Sequence, residues 1–361
     1  MPELLKDRFF TKTFIEELAE VTHKNYSDFD KSKFKSLVFS SDWNAKELKE
    51  KMRHITLCLG ETLPQNYESA LEILQKIAPE FSGFDGMVFP DFVEVYGLNN
   101  FYESLKALEH LTKFSSSEFA IRHFLLKDQN KVIDLMLKWS KSENFHVRRL
   151  ASEGCRPRLP WAIGVPNLKK NPKPILPILE NLKADETDYV RRSVANNLND
   201  ISKDFPDLVL EICEGWYGKH KNTNWIVKHA LRGLLKKGNP RALILFGFGK
   251  PENVEVSNLV LDKNYLRIGE EFNFSFEIQI PKDSSLKLRI EYAIHFCKAN
   301  GSLSKKVFSI SENTFSKPQT DFSKKHSFKD LTTRKHYSGE HFLEIIVNGV
   351  TKQKFTFLLE A

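Results

Sequence analysis

Three carboxylates and one tryptophan are the residues of this chain whose types and surroundings could do chemistry. Glu153 opens the run Glu153-Gly154-Cys155-Arg156-Pro157-Arg158-Leu159-Pro160-Trp161, in which each proline fixes its own φ and pushes the residue before it toward extended backbone. Arg156, Arg158 and Trp161 should therefore leave a stiff loop in defined directions. A tryptophan beside two arginines is a stacking platform for a base or a sugar, worth about 1–3 kcal/mol per base; the same residue could equally be core. Glu153 falls at the C-terminal end of the preceding helix, where the macrodipole opposes a carboxylate by up to about 1 kcal/mol. Two readings compensate for that. Either Arg149, one turn earlier, supplies an i,i+4 partner worth roughly 0.2–0.5 kcal/mol, or Glu153 is a functional carboxylate flanked by arginines. Glu118 closes Ser115-Ser116-Ser117-Glu118, which fits a capping box with Ser115 as cap, or a second acid. Asp200 ends the stripe Arg192-Asn196-Asp200, one helical face at i,i+4 spacing, as a solvated helix end or as a third acid.

Other chemistries find no residues to carry them. The chain has no glycine-rich phosphate loop, no His-x-Glu with Pro-Cys-x-x-Cys, and no Gly-x-Ser-x-Gly elbow. Its 11 histidines show no metal spacing. Cys58, Cys155, Cys213 and Cys297 are too scattered for a disulfide framework, so reduced structural thiols are expected. No apolar run approaches the roughly 18 residues a membrane span needs, and a cytoplasmic protein that engages no membrane is expected.

The elements that must position these residues are helical as far as about residue 250. Apolar side chains recur at three- and four-residue steps, as in Phe14, Leu18 and Val21 or Leu105, Leu108 and Leu111. A signature of aromatic, β-branched and basic residues returns within them: Phe119-Ala120-Ile121-Arg122-His123, Phe145-His146-Val147-Arg148-Arg149, Tyr189-Val190-Arg191-Arg192 and Trp225-Ile226-Val227-Lys228-His229. The spacings from Ile121 to Val147, Val190 and Val227 are 26, 43 and 37 residues. The last two fit the roughly 40-residue period of HEAT-type helix pairs, and the first suggests a degenerate repeat. Such pairs stack into an α-α superhelical solenoid with an extended concave surface, one wall of which the basic pairs would line. Charge follows the same division. Residues 1–141 hold 19 basic against 22 acidic side chains, whereas 142–241 hold 18 against 11, the footprint of a polyanion site.

Beyond about Pro251 the period falls to two. Phe272, Phe274, Phe276, Ile278 and Ile280 alternate with mostly polar residues, as do Leu286 through Phe296, and less cleanly Phe342-Glu344-Ile346 and Phe355-Phe357-Leu359. Asn348-Gly349 signals a hairpin. An all-β, immunoglobulin-like sandwich is expected over 251–361, without the Cys…Trp…Cys hallmark, after a HEAT-like repeat domain over 1–250.

The segment Ser152–Trp161 resembles the characteristic stretch of the AlkC family, within HEAT-like alkylpurine DNA glycosylases. The similarity extends to Met1–Phe10, to the Val147-Arg148-Arg149 helix and to the C-terminal immunoglobulin-like domain of one AlkC subgroup. The resemblance implies a monofunctional glycosylase. Such an enzyme removes cationic bases such as 3-methyladenine and 3-methylcytosine from double-stranded DNA, with no metal or nucleotide cofactor and no obligate protein partner, as a monomer. It implies Glu118, Glu153 and Asp200 as catalytic carboxylates and Trp161 at the lesion, with Arg148, Arg149, Arg156, Arg158, Arg192, Asn196 and Lys228 along the DNA. It also implies a base held largely in the stack rather than flipped. The sandwich would be an accessory DNA-binding domain through Lys305-Lys306, Lys324-Lys325 and Arg334-Lys335. A non-catalytic nucleic-acid-binding HEAT protein is the alternative; the confined basic excess argues against a protein scaffold.

Overall fold

The computed structural model describes residues 5–330 and 335–360, so the start of the Met1–Phe10 resemblance and Arg334 lie outside the described residues. Among the described residues 17 α-helices precede eight strands. The chain divides into two compact units, the first ending at Ala230 and the second starting at Leu231. This division lies ahead of the change in periodicity at about 250, for a packing reason. The short helices Arg232–Lys236 and Pro240–Leu245 belong to the second unit, where a Cβ on Gly238 would lie 2.8 Å from the Gly349 carbonyl oxygen. Lys287 Nζ donates to the Phe246 carbonyl at 2.8 Å, and Asn348 Nδ2 to that of Gly249 at 2.8 Å.

In the first unit the four signatures open or occupy the helices Ile121–Lys127, Phe145–Glu153, Asp188–Ile201 and Lys221–Ala230. Their β-branched residues, Ile121, Val147, Val190 and Val227, are all fully buried, which is why the motif repeats. Asn144 starts the second of these helices by accepting from the backbone N–H of His146 and Val147, a side-chain cap. The Asp188–Ile201 helix packs against both the Phe145–Glu153 and the Lys221–Ala230 helices. The 26-residue step is short because Ile121–Lys127 is a helix of only 7 residues that passes at Asp128 directly into Gln129–Trp139. The 43-residue step is longer because Gly154–Ile175, the loop after Glu153 with two single turns, is inserted before the Leu176–Leu182 helix.

The second unit's strands are β1 (Glu255–Leu261), β2 (Tyr265–Arg267), β3 (Glu271–Gln279), β4 (Leu286–Cys297), β5 (Leu303–Phe315), β6 (Gln319–Ser327), β7 (Gly339–Val347) and β8 (Val350–Glu360). They form a three-stranded sheet in the order β1-β3-β6 and a five-stranded sheet in the order β2-β8-β7-β4-β5. Pairing is antiparallel except between β2 and β8. The sheets meet through aromatic rings: Phe272 lies 5.1 Å from Phe357, and Phe274 lies 5.1 Å from Tyr292. The alternation in β3 and β4 falls on the core as expected. In β7 it is out of phase: Leu343, Ile345 and Val347 enter the core, and a bulge between Ile345 and Ile346 breaks the register. Asn348 (φ 45°) and Gly349 (φ 78°) make the β7–β8 turn, both left-handed as a two-residue hairpin of this type requires. Lys305 is bound to Glu344 and Lys325 to Glu271.

Candidate active site

The Phe145–Glu153 helix ends where the sequence suggested, but its last residue turns inward. Glu153 is 5% exposed. Its Oε1 receives Arg156 Nη1 at 2.7 Å and Arg149 Nη2 at 3.3 Å. Both readings of Glu153 therefore meet in one place: the i,i+4 partner exists, and a second arginine from the loop completes a flanking pair. Burial alone would raise the Glu153 carboxyl, but the charges of Arg149 and Arg156 outweigh it and hold it below the ordinary glutamate range. Burial likewise opposes charge on Arg149 and Arg156, and their carboxylate partners raise both above the usual arginine value.

Glu118 joins the same cluster. The capping box does not form, since Ser115 Oγ donates to the Gly83 carbonyl at 2.7 Å and the helix begins only at Ile121. Released from capping, Glu118 accepts Ser116 Oγ–H at 2.9 Å and pairs with Arg149 Nη1, which also donates to Ser116 Oγ at 2.8 Å. Arg149 thus holds two carboxylates, while its guanidinium carbon lies 4.7 Å from the Tyr189 ring centroid. Glu118, Arg149, Glu153, Arg156, His146, Tyr189, Pro160 and Trp161 line one open cleft of about 510 Å³. Burial, then the Arg149 charge, lower His146 below its ordinary value.

Trp161 is 60% exposed, so the core reading fails. Its φ of +63° is left-handed, a region that costs a residue with a Cβ on the order of 1–3 kcal/mol unless its surroundings impose it. The loop is held by a residue that no local pattern singled out. Arg122 is fully buried; its Nη1 donates to the carbonyls of Gly154 and Arg156 at 2.9 Å each, and its Nε to that of Ile163 at 2.6 Å. Burial lowers its guanidinium to about 10. Gly154 is required for a different reason, since a Cβ there would sit 2.6 Å from Ile121 Cγ2. Cys155, also buried, has its thiol pushed up to about 12 and is inert.

Several expected residues stand elsewhere. Asp200 is 2% exposed and does not line the cleft; it receives Arg156 Nε at 2.9 Å and Lys203 Nζ at 3.1 Å, so it sits behind Arg156 rather than before a substrate. The Arg192-Asn196-Asp200 stripe runs from exposed through half-buried to buried, because the helix rolls into its neighbours. Arg148, expected along DNA, instead pairs with Asp185 at 2.6 Å and caps the carbonyls of Ser142 and Glu143. Arg191 does the same for the carbonyls of Asp185 and Glu186, so the first basic residue of these two signatures caps the turn that leads into its own helix, and Arg148 also reaches the next repeat at Asp185. Arg158 is paired with Asp204 at 2.8 Å, beside a separate surface hollow. Arg192 is exposed and pairs with Asp188 at 2.5 Å, and Lys228 is exposed. His146 and Tyr189 line the cleft although they entered the sequence reading only as parts of the signature. Among the described residues no group of three His, Cys, Asp or Glu side chains could hold a metal ion, and no helix is long and apolar enough to cross a membrane.

Residues 111–234 match the DNA alkylation repair enzyme family, and residues 255–361 match the C-terminal Ig-like domain of the uncharacterised protein YhaZ. The uncharacterized protein YhaZ of Bacillus subtilis strain 168 is 50% identical over 349 residues, which cover 96% of this chain and 97% of that one. The alkylpurine DNA glycosylase AlkC of Pseudomonas fluorescens, solved bound to DNA containing an abasic site analog, is 37% identical, with a TM-score of 0.95 over 99% of this chain and 100% of that one. With the fold, both units and nearly the full length shared, the chain belongs to the DNA alkylation repair enzyme family, in the AlkC-like group that carries a YhaZ-type C-terminal Ig-like domain.

Proposed function

We propose that the chain is a DNA glycosylase of base excision repair that hydrolyses the N-glycosidic bond of cationic alkylated bases, 3-methyladenine and 3-methylcytosine, in double-stranded DNA. One observation carries this reading: Glu118 and Glu153, both paired with the half-buried Arg149, line the same open cleft as the outward-facing Trp161. A base methylated at N3 already carries positive charge. The bond from C1′ to the base nitrogen therefore breaks with its electron pair leaving on the base, which departs neutral without a general acid. The sugar becomes oxocarbenium-like, water adds at C1′, and one proton is released, leaving free base and an abasic site. The enzyme has to stabilise the cationic sugar and hold the water.

Pre-set carboxylates do this without reorganising, by the same logic that places acids around the bond in sugar hydrolases. Glu118 is the carboxylate best placed to face the sugar, because Glu153 is enclosed by two guanidiniums. Trp161 supplies a ring face whose attraction for a cationic base is about 0.5–2 kcal/mol. Asp200 acts through Arg156 as a positioning group. The open form of the cleft supports a lesion held against the groove with its base largely in the stack. The sandwich is proposed as an accessory DNA-binding unit through Lys306, Lys324 and Lys335. The test is to incubate the purified chain with methylated DNA and measure free 3-methyladenine and 3-methylcytosine. Release is expected from the natural chain, and its absence would remove the enzymatic reading.

A further inference from the structure

The left-handed backbone of Trp161 has to be imposed from outside the loop's own sequence, since a residue with a Cβ rarely adopts it. Arg122 fixes the loop through Gly154, Arg156 and Ile163 and does not touch Trp161 itself. The Trp161 carbonyl is instead taken by a residue far earlier in the chain. Lys49, in the first turn of the Leu48–Gly60 helix, donates from Nζ to that oxygen at 2.7 Å, and the same ammonium lies 4.9 Å from the centroid of the Phe119 ring. Phe119 and Trp161 both line the cleft. We propose that Lys49 is a positioning residue for Trp161: its ammonium, seated between the Phe119 ring and the Trp161 carbonyl, holds the left-handed conformation and so aims the indole across the cleft.

The chemistry is specific to a lysine in this place. A surface lysine that serves a phosphate keeps its ammonium in solvent, where three N–H donors are free to follow the anion. Lys49 turns its head back onto a backbone oxygen and a ring face, which is a fixed address. The side chain is otherwise exposed, so its loss removes the hold on Trp161 without opening the core. The link to base release rests on the reading of Trp161 given above; the link to Trp161 geometry does not.

The test uses the full-length chain labelled with 5-fluorotryptophan, in which Trp161→Phe identifies the Trp161 line among the five tryptophans. Lys49→Met keeps the aliphatic stem and removes the ammonium. It is expected to shift or broaden the Trp161 line alone, to leave the melting temperature and the affinity for abasic-site DNA unchanged, and to slow single-turnover base release by about 10- to 100-fold, the scale of an ångström-sized misplacement. Lys49→Arg should restore most of the rate, and Lys49→Met should add nothing in a Trp161→Ala background, since the two act as one unit. An unmoved Trp161 line in Lys49→Met overturns the proposal. So does a retained rate with weakened, less salt-dependent binding, which would make Lys49 a phosphate contact. If the unsubstituted chain releases no base, the glycosylase reading falls while the fluorine line still decides the role of Lys49.

Discussion

In the sandwich, Arg289, Glu291 and Glu344 are as buried as Glu153, Arg156 and Asp200 are in the helical unit. Arg289 bridges Glu291 and Glu312, and Glu344 collects His295, Lys305 and Lys354. These groups alternate along β4 and β7 with the side chains of the aromatic core, so they lie on the other face of the five-stranded sheet. Both regions thus contain an ionic lattice of Arg and Glu in a hydrogen-bonded, largely desolvated setting. They differ in what adjoins it. Around Arg149 the lattice includes a loop insertion, an exposed tryptophan and a cleft; around Arg289 it is spread over paired strands, with bulges at Ile290/Glu291 and Ile345/Ile346. What sets the helical region apart is the cleft, lined by an exposed tryptophan, onto which its lattice opens.

Substitutions can break that contrast. The largest effect is expected from Glu118→Gln and Glu153→Gln, each lowering the rate of base release by about 10²–10³, the usual result of removing one pre-set electrostatic group. The two should part in stability. Glu153→Gln deprives the buried Arg156 and the half-buried Arg149 of a shared partner and should lower the urea-unfolding free energy by about 3 kcal/mol, whereas Glu118→Gln should cost less. Glu344→Gln should leave single-turnover base release unchanged; a loss of rate comparable to that of Glu118→Gln would erase the distinction between the two lattices. Next in size is Trp161→Ala, expected to slow base release in keeping with about 1–3 kcal/mol of lost stacking while leaving the melting temperature unchanged, since the side chain is exposed and alanine keeps the Cβ.

A smaller effect concerns acid. Burial would raise the Glu344 carboxyl, but Lys305, His295 and Lys354 bring it down to about 2. A carboxylate whose folded pKa is depressed stabilises the fold above its unfolded value of 4.5 and loses that contribution as pH falls toward 2. The stability gap between the natural chain and Glu344→Gln should therefore be full above pH 4.5 and close progressively below it, as followed by circular dichroism; a gap that widens with acid would contradict the assignment. Smallest of all, Arg192→Ala should change stability by less than about 1 kcal/mol. It should lower the slope of log affinity for DNA against log salt by about one; an unaltered slope would leave Arg192 outside the interface.

Much of this was legible in the chain because the signals were periodic. Phe272, Phe274 and Phe276 alternate and are core; Asn348-Gly349 is a hairpin turn; Val147 and Val190 recur because each fills the same layer of a solenoid. The residues misread were those whose partners are remote. Arg122 looks like one more basic residue of the signature, and only carbonyls 32 to 41 positions later make it a buried anchor. Asp200 shares a helical face with Arg192, yet a face that rolls into a neighbour carries one end into the interior. Ser115 has the sequence of a cap, but Gly83 claims its hydroxyl. The 26- and 43-residue spacings were both visible, but spacing alone did not show that Gly154–Ile175 lengthens the second.

Arg122 also bears on how the molecule meets its substrate. Its guanidinium is bound to three carbonyls of the Gly154–Ile163 segment, so peeling that segment away would break three charge-assisted hydrogen bonds at once, each worth about 1.5–3 kcal/mol. The segment cannot behave as a gate that swings while the repeats stay folded. Its opening is tied to the collapse of the whole helix stack, and slow amide exchange across it should report the same free energy as global unfolding. Under the function proposed above, such a surface would meet a duplex as a rigid mould, and any bending or unwinding needed to seat a lesion would fall on the nucleic acid.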